Sequence, residues 1–283
     1  MRTILVFLAV SASLAASPAV VRHATSLYER TDYEAAISVL KEDPAPDAGT
    51  YSLIGRSYFM LGEFKKATNS LEKAVAGSPN NSEYVHWLGR AYGRRAETSG
   101  PLTAPFNAVK ARQCFEKAVQ LDSHNKEALN DLFDYYLQAP VFLGGGIDKA
   151  EDVAKRIGEI DPAEYHYAQA QLADKKKDRS AAEDQLRRAM AMAPKQVGRV
   201  IDLARYLAKQ GKVQESDALF QQAETISPGD PRLLYERAKI YIETRRNLPE
   251  ARTLLKKYLQ CNLTPDDPPK ESAEKLLQKA MGA

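Results

Sequence analysis

The chain has 283 residues, 44% of them hydrophobic, which is enough to bury a large apolar surface. Lys and Arg number 40 against 37 Asp and Glu, a net charge of +3. That balance does not predict a nucleic-acid or anionic-membrane partner, since those call for a concentrated basic patch.

The N-terminus reads as an export signal. Arg2 supplies the charged start, Ile4 to Ala12 an apolar run, and Ser13-Leu14-Ala15-Ala16 a small-residue cleavage region, so residues 1–16 are expected to be a signal peptide. The run is well short of the roughly 20 residues a spanning helix needs, and no membrane span is expected after cleavage. The implied destination is the periplasm or the outside of the cell. Cys114 and Cys261 are the only thiols and stand far apart in sequence, so both are expected to be unpaired and mostly packed.

From residue 17 onward the pattern is helical and repeated. Residues 17–47 hold a degenerate first unit, with Tyr33, Ala36 and Leu40 in its second helix. Next comes Tyr51-x2-Ile54-Gly55-x2-Tyr58, followed by Ala67-x3-Leu71, Ala74 and Pro79. Gly55 recurs as Gly89, 34 residues on; Ala170, Ala204 and Ala238 keep the same interval, as do Leu186 with Phe220 and Pro194 with Pro228. Small residues such as Gly55, Gly89, Ala170 and Ala204 let the first helix of each unit approach its neighbour. Ala67, Ala111, Ala182 and Ala251 do so for the second. Tyr58, Tyr92, Tyr136 and Tyr241 fill the space between units. Pro79, Pro162, Pro194 and Pro228 end the second helices, because proline cannot sit in a helix interior.

This arrangement resembles the tetratricopeptide-repeat (TPR) pattern of aromatic, Leu-Gly and Tyr, then Ala-x3-Phe, then Pro. The resemblance implies an all-α, right-handed superhelical solenoid of about seven helix pairs. Its repeats fall at about 17–47, 48–81, 82–125, 126–162, 163–196, 197–230 and 231–264. A capping helix at 270–280, apolar at Ala273, Leu276, Leu277 and Ala280, would cover the last open interface. The run from Tyr135 through the glycines at 144–146 is similar to one in uncharacterised exported bacterial TPR proteins, which points to a bacterial source.

Two places depart from the period. Gly89 to its equivalent Phe133 is 44 residues, and the excess is expected between two helices, in Gly93 to Asn107. The next unit carries extra residues in Ala139 to Gly146. Insertions at the same point of neighbouring repeats should emerge side by side, often on a binding face. Pro101, Pro105 and Pro140 beside Phe106, Val141 and Phe142 suggest loops folded back on the helices, since exposed apolar tips are unfavourable; a partner would be the other way to cover them. The Gly-Gly-Gly run at 144–146 lacks the Gly-Lys-Ser/Thr ending of a phosphate loop and reads as a flexible turn.

In the family the first helices line a concave groove. The residue after each small position, with the one four before it, is expected to face it: Ser52 and Arg56, His86 and Arg90, Asn130 and Asp134, Tyr167 and Gln171, Ile201 and Arg205, Tyr235 and Lys239. Arg56, Arg90 and Arg94 would form a cationic mouth, and Tyr167, Tyr235, Arg205 and Lys239 a more aromatic stretch. Family members that hold chaperone C-termini resemble one another in a Lys and Asn clamp. Here Ser52, Arg56, His86 and Arg90 stand instead, so an acidic or mixed peptide fits better than a chaperone tail.

Catalytic and metal chemistry have no legible motif. His23, His86, His124 and His166 are scattered, with no His-x3-His or Cys-x2-Cys, and there is no Gly-x-Ser-x-Gly or dinucleotide fingerprint. The expected function is an exported, monomeric, cofactor-free scaffold that binds a protein or peptide in the groove. A structural or assembly subunit of a cell-envelope complex is the alternative, favoured if the insertions expose apolar surface.

Overall fold

The computed structural model describes residues 18–282. Among them are fifteen α-helices, arranged as seven hairpins and a cap. The pairs are α1 (Pro18–Glu29) with α2 (Tyr33–Lys41), α3 (Ala48–Met60) with α4 (Phe64–Gly77), α5 (Ser82–Thr98) with α6 (Ala104–Leu121), and α7 (Lys126–Gln138) with α8 (Ile147–Ile160). They continue as α9 (Pro162–Lys175) with α10 (Arg179–Met192), α11 (Val197–Lys209) with α12 (Val213–Ile226), and α13 (Pro231–Glu243) with α14 (Leu248–Leu259); α15 (Lys270–Met281) closes the end. The all-α solenoid of seven helix pairs and a capping helix is therefore the observed fold. The signal peptide expected at residues 1–16 lies outside the described residues.

Local chemistry sets the helix boundaries. The side chains of Asp47, Asn81, Asn125 and Asp161 each accept a hydrogen bond from the backbone N–H three residues on, satisfying donors that a helix start leaves free. Pro79, Pro194 and Pro228 lie in turns after second helices. Pro162 behaves differently: α8 runs to Ile160, Asp161 caps both helices, and Pro162 opens α9, where its missing N–H costs nothing.

Close approach holds each hairpin together. A Cβ built on Gly55 would lie 2.6 Å from Leu71 Cγ, and one on Gly89 would lie 2.7 Å from the Phe115 ring. Ala67, Ala111, Ala182 and Ala251 are fully or almost fully buried on the facing helices. Between hairpins a second tie recurs. Tyr92 donates from α5 to Glu72 on α4, Tyr136 from α7 to Glu116 on α6 (2.7 Å), and Tyr241 from α13 to Asp217 on α12 (3.2 Å). Each tyrosine thus fills the space between repeats and fixes their register with a charge-assisted bond. At the C-terminal end α15 buries Ala273 and Ala280, while the Tyr258 hydroxyl donates to the Pro268 carbonyl.

The departures from the period differ from expectation. Most of the excess in 93–107 is helix rather than loop: α5 and α6 are lengthened to 17 and 18 residues, leaving only 99–103 as connection. Extending two packed helices buries more surface than a long loop and leaves fewer backbone groups to satisfy. In the second insertion a short 3-10 turn, Val141–Leu143, leads into the glycines. This turn is tightly bonded: Gly145 N–H donates to Pro140 O, Gly146 N–H to Tyr136 O, and the Tyr135 hydroxyl to Leu143 O. Gly144 has φ +92°, and a Cβ on Gly145 would fall 1.8 Å from Ala139 O, so the turn demands glycine at both positions. The apolar tips do not fold back. Leu102 is 96% exposed, Val141 and Phe142 81% each, and Phe106 62%. Both cysteines are unpaired and partly buried, and burial pushes the Cys114 thiol up to about 11.

Two glycines of one helix test the close-approach argument. Gly89→Ala should cost about 1–3 kcal/mol by overpacking. Gly93→Ala, whose Cβ would meet only Ala111 Cβ at 3.9 Å, should gain up to about 1 kcal/mol from helix propensity. Chemical denaturation of the two variants measures both, and equal effects would sink the steric explanation.

Candidate functional site

The first helices α3, α5, α7, α9, α11 and α13 present one strip of side chains along the stack. Of the residues expected there, Arg56, Arg90, Gln171, Arg205 and Lys239 are half-buried and Asp134 is exposed. Their expected partners four residues earlier mostly are not available. His86, Ser52, Ile201 and Tyr235 are buried; Asn130 and Tyr167 are half-buried. His86 Nε2 lies 2.7 Å from Asp131 on α7, and the Tyr235 ring packs 5.3 Å from that of Tyr258 on α14. That row seals each repeat against the next. The row three residues earlier joins the strip instead, and it carries Trp87, Asp131, Asp202 and Glu236, all partly exposed.

At one end the strip is a stack of cations and rings. The Arg56 guanidinium lies 5.0 Å from the Tyr28 ring and 4.8 Å from Trp87; Arg90 lies 4.2 Å from Trp87 and 5.0 Å from Phe59; Arg94 lies 5.1 Å from Phe64. Stacking on aromatic faces orients the guanidiniums and satisfies part of their charge. Carboxylates take up more of it: Arg56 pairs with Glu83 at 3.0 Å, Arg94 with Glu97, and Arg90 Nε sits 3.8 Å from Asp131 Oδ2. The expected cationic mouth is assembled, but its charges are largely engaged within the fold.

Further along, carboxylates dominate. Arg199 pairs with Glu164 and, at 3.2 Å, with Asp202, and stacks on Tyr167. Arg205 pairs with Glu236 at 3.1 Å. Asp134 has no cation within ion-pair distance among the described residues. Asp134 is exposed, but partial desolvation by the groove walls pushes its carboxyl up to about 6, with Asp131 and Glu164 adding repulsion and a bond from Gln171 opposing it. Asp202 is pushed up to about 6 by burial as well, against the pull of Arg199 and Arg205.

Two hollows open on the strip. The larger, about 780 Å³, lies between α5, α6 and α7 and is walled by Phe59, Ala104, Pro105, Ala108 and Phe115, among others, with Arg90, Arg94, Glu97, Asp131 and Asp134 around it. Pro101 of the first insertion and Pro140 and Leu143 of the second border it. The two insertions do stand side by side. The smaller, about 320 Å³, lies between α9 and α11 and includes Tyr167, Gln171, Asp202 and Arg205. Sequence spacing missed Phe59, Ala108, Asp131 and Asp202. The signal was present in the three-residue step from Arg90, Asp134 and Arg205 back to Trp87, Asp131 and Asp202. Among the described residues no cluster of three or more His, Cys, Asp or Glu is placed to hold a metal, and no helix is long and apolar enough to cross a membrane.

Comparison with known proteins agrees with this geometry. Family models described as tetratricopeptide repeat match residues 48–81, 167–231 and 201–268. A tetratricopeptide repeat protein from Parabacteroides merdae is similar in structure, with TM-score 0.60, 18% identity, and coverage of 93% of this chain and 98% of that one. A thermophilic TPR protein of Thermus thermophilus gives TM-score 0.54 and 22% identity over 67% of this chain and 97% of its own. No curated protein matches the sequence.

The raised Asp134 carboxyl has a measurable sign. Because its folded value of about 6 exceeds the ordinary 3.8, the native state holds a proton that the unfolded chain has already lost between about pH 4 and 6. Stability therefore falls as pH rises through that window. Asp134→Asn should show a smaller loss of melting temperature from pH 4 to pH 6.5 than the unaltered chain, and parallel curves would contradict the assigned environment.

Proposed function

Because this chain is a tetratricopeptide-repeat protein, built on a fold that serves protein–protein interaction, we propose that it is an exported scaffold that binds a peptide or protein segment in its concave strip. The observation that carries this reading is the 780 Å³ hollow at the two insertions. Concave, mostly apolar hollows with a few polar groups around them are what small ligands and peptide anchors occupy. Export to the periplasm or outside the cell rests on the residues at 1–16 that read as a signal peptide. We read the chain as a binding protein rather than an enzyme because its sequence carries no nucleophile–base or metal motif, and as monomeric because the α15 cap covers the end of the stack. The near-balanced charge argues against nucleic acid as partner.

A second reading has one observation in its favour. Leu102, Phe106, Val141 and Phe142 expose large apolar side chains on the two insertions, and exposed apolar surface marks contact surfaces. In a subunit of an envelope complex these side chains would be covered by a permanent neighbour.

Two measurements separate these readings. Capture from the envelope fraction of the host should retain one specific partner on the unaltered chain and lose it on Ala108→Trp, which fills the hollow; equal capture by both would move binding off the strip. Sedimentation should show an elongated monomer, whereas an oligomer dispersed by the double change Val141→Asp and Phe142→Asp would establish the assembly subunit.

A further inference from the structure

The groove reading leaves the ligand's chemistry open, and the charges around the larger hollow narrow it. Of the cations there, Arg94 is paired with Glu97, and Arg90 is stacked on Trp87 with Asp131 at 3.8 Å. Asp131 is further satisfied by His86 at 2.7 Å. This leaves Asp134 as the carboxylate without a cation, facing the same hollow as the apolar walls Pro105, Ala108 and Phe115. Its partner is one glutamine, and Asp131 and Glu164 press on it with like charge. A carboxylate that lines the hollow without a paired cation and beside like charges is unfavourable, and an incoming cation would relieve that repulsion.

Resting on the groove reading, we propose that the hollow takes an apolar anchor side chain of a peptide whose neighbouring residue is Lys or Arg, with that cation set on Asp134. The exposed Leu102, Phe106, Val141 and Phe142 of the two insertions then offer apolar surface to residues flanking the anchor. The inference reverses the sequence-based expectation of an acidic ligand, because the arginines that suggested it are already engaged by rings and carboxylates. It also disfavours an anionic lipid surface, since Glu97, Asp131 and Asp134 would repel phosphate headgroups.

The test is selection from a phage-displayed library of random linear peptides on the immobilised full chain, followed by fluorescence anisotropy of the enriched peptides. Enriched sequences should pair Leu, Ile or Phe with an adjacent Lys or Arg. Their affinity should fall by about ten-fold or more on Asp134→Lys, the loss expected when a close charge pair becomes a repulsion. Ala108→Trp should abolish binding, and Asp134→Lys, at an accessible position, keeps the test valid should the tryptophan disturb folding. Peptides that are lost on Ala108→Trp but carry no basic residue, or that bind Asp134→Lys equally well, would overturn this inference and leave the groove reading standing. No enrichment, or peptides indifferent to both changes, would overturn both. Binding of phosphatidylglycerol vesicles, or dimerisation that Ala108→Trp abolishes, would give the hollow to lipid or to a second copy and equally overturn it.

Discussion

The structure depends on how closely paired helices approach. Where Gly55 faces Leu71 and Gly89 faces Phe115, no room remains for a Cβ, so each hairpin is set by steric limits rather than by a general apolar attraction. With that spacing fixed, the tyrosine of one repeat reaches the acid on the second helix of the repeat before it, as Tyr92, Tyr136 and Tyr241 do. Each repeat touches only its neighbours, so such ties between successive repeats carry the order along the stack. The strip on the first helices is a consequence of that repeated geometry.

This explains which parts of the chain are readable in sequence. Small residues under a hard steric limit recur with the period, so Gly55, Gly89, Ala170, Ala204 and Ala238 disclose the fold and the number of hairpins. The strip is softer information. A helix turns 100° per residue, so positions three and four before a given residue lie on opposite flanks of it. Only the packing of the next repeat decides which flank is sealed. Burial of His86 against Asp131 and of Tyr235 against Tyr258 seals the four-residue flank and leaves Trp87, Asp131 and Asp202 open. That outcome depends on residues more than 20 positions away, so local spacing offers both the three- and the four-residue step and does not choose between them.

The insertions show the same division between length and shape. Sequence locates ten extra residues, but helix extension absorbs most of them, because residues added in register to α5 and α6 keep their backbone groups bonded within the helices. The longer helices rise above α7, and the glycine turn after α7 comes up beside them, tied by Tyr135 and Tyr136. Between these walls the 780 Å³ hollow follows from ordinary packing where the two lengthened repeats adjoin.

Electrostatics along the strip then turn on which charges the fold has already used. An arginine stacked between rings and beside a carboxylate has given up much of its pull on a ligand, even when partly exposed. Arg56, held between Tyr28 and Trp87 with Glu83 at 3.0 Å, is in that state. Counting formal charges along the first helices therefore misjudges the groove, since the arginines are the most visible residues and the most fully engaged. Asp134 is the reverse: inconspicuous in sequence, it lines the hollow without a paired cation among the described residues and beside like charges. Where a fold leaves one charge without a partner beside an open apolar hollow, recognition has its strongest foothold there, because binding gains the most where the free protein is least satisfied.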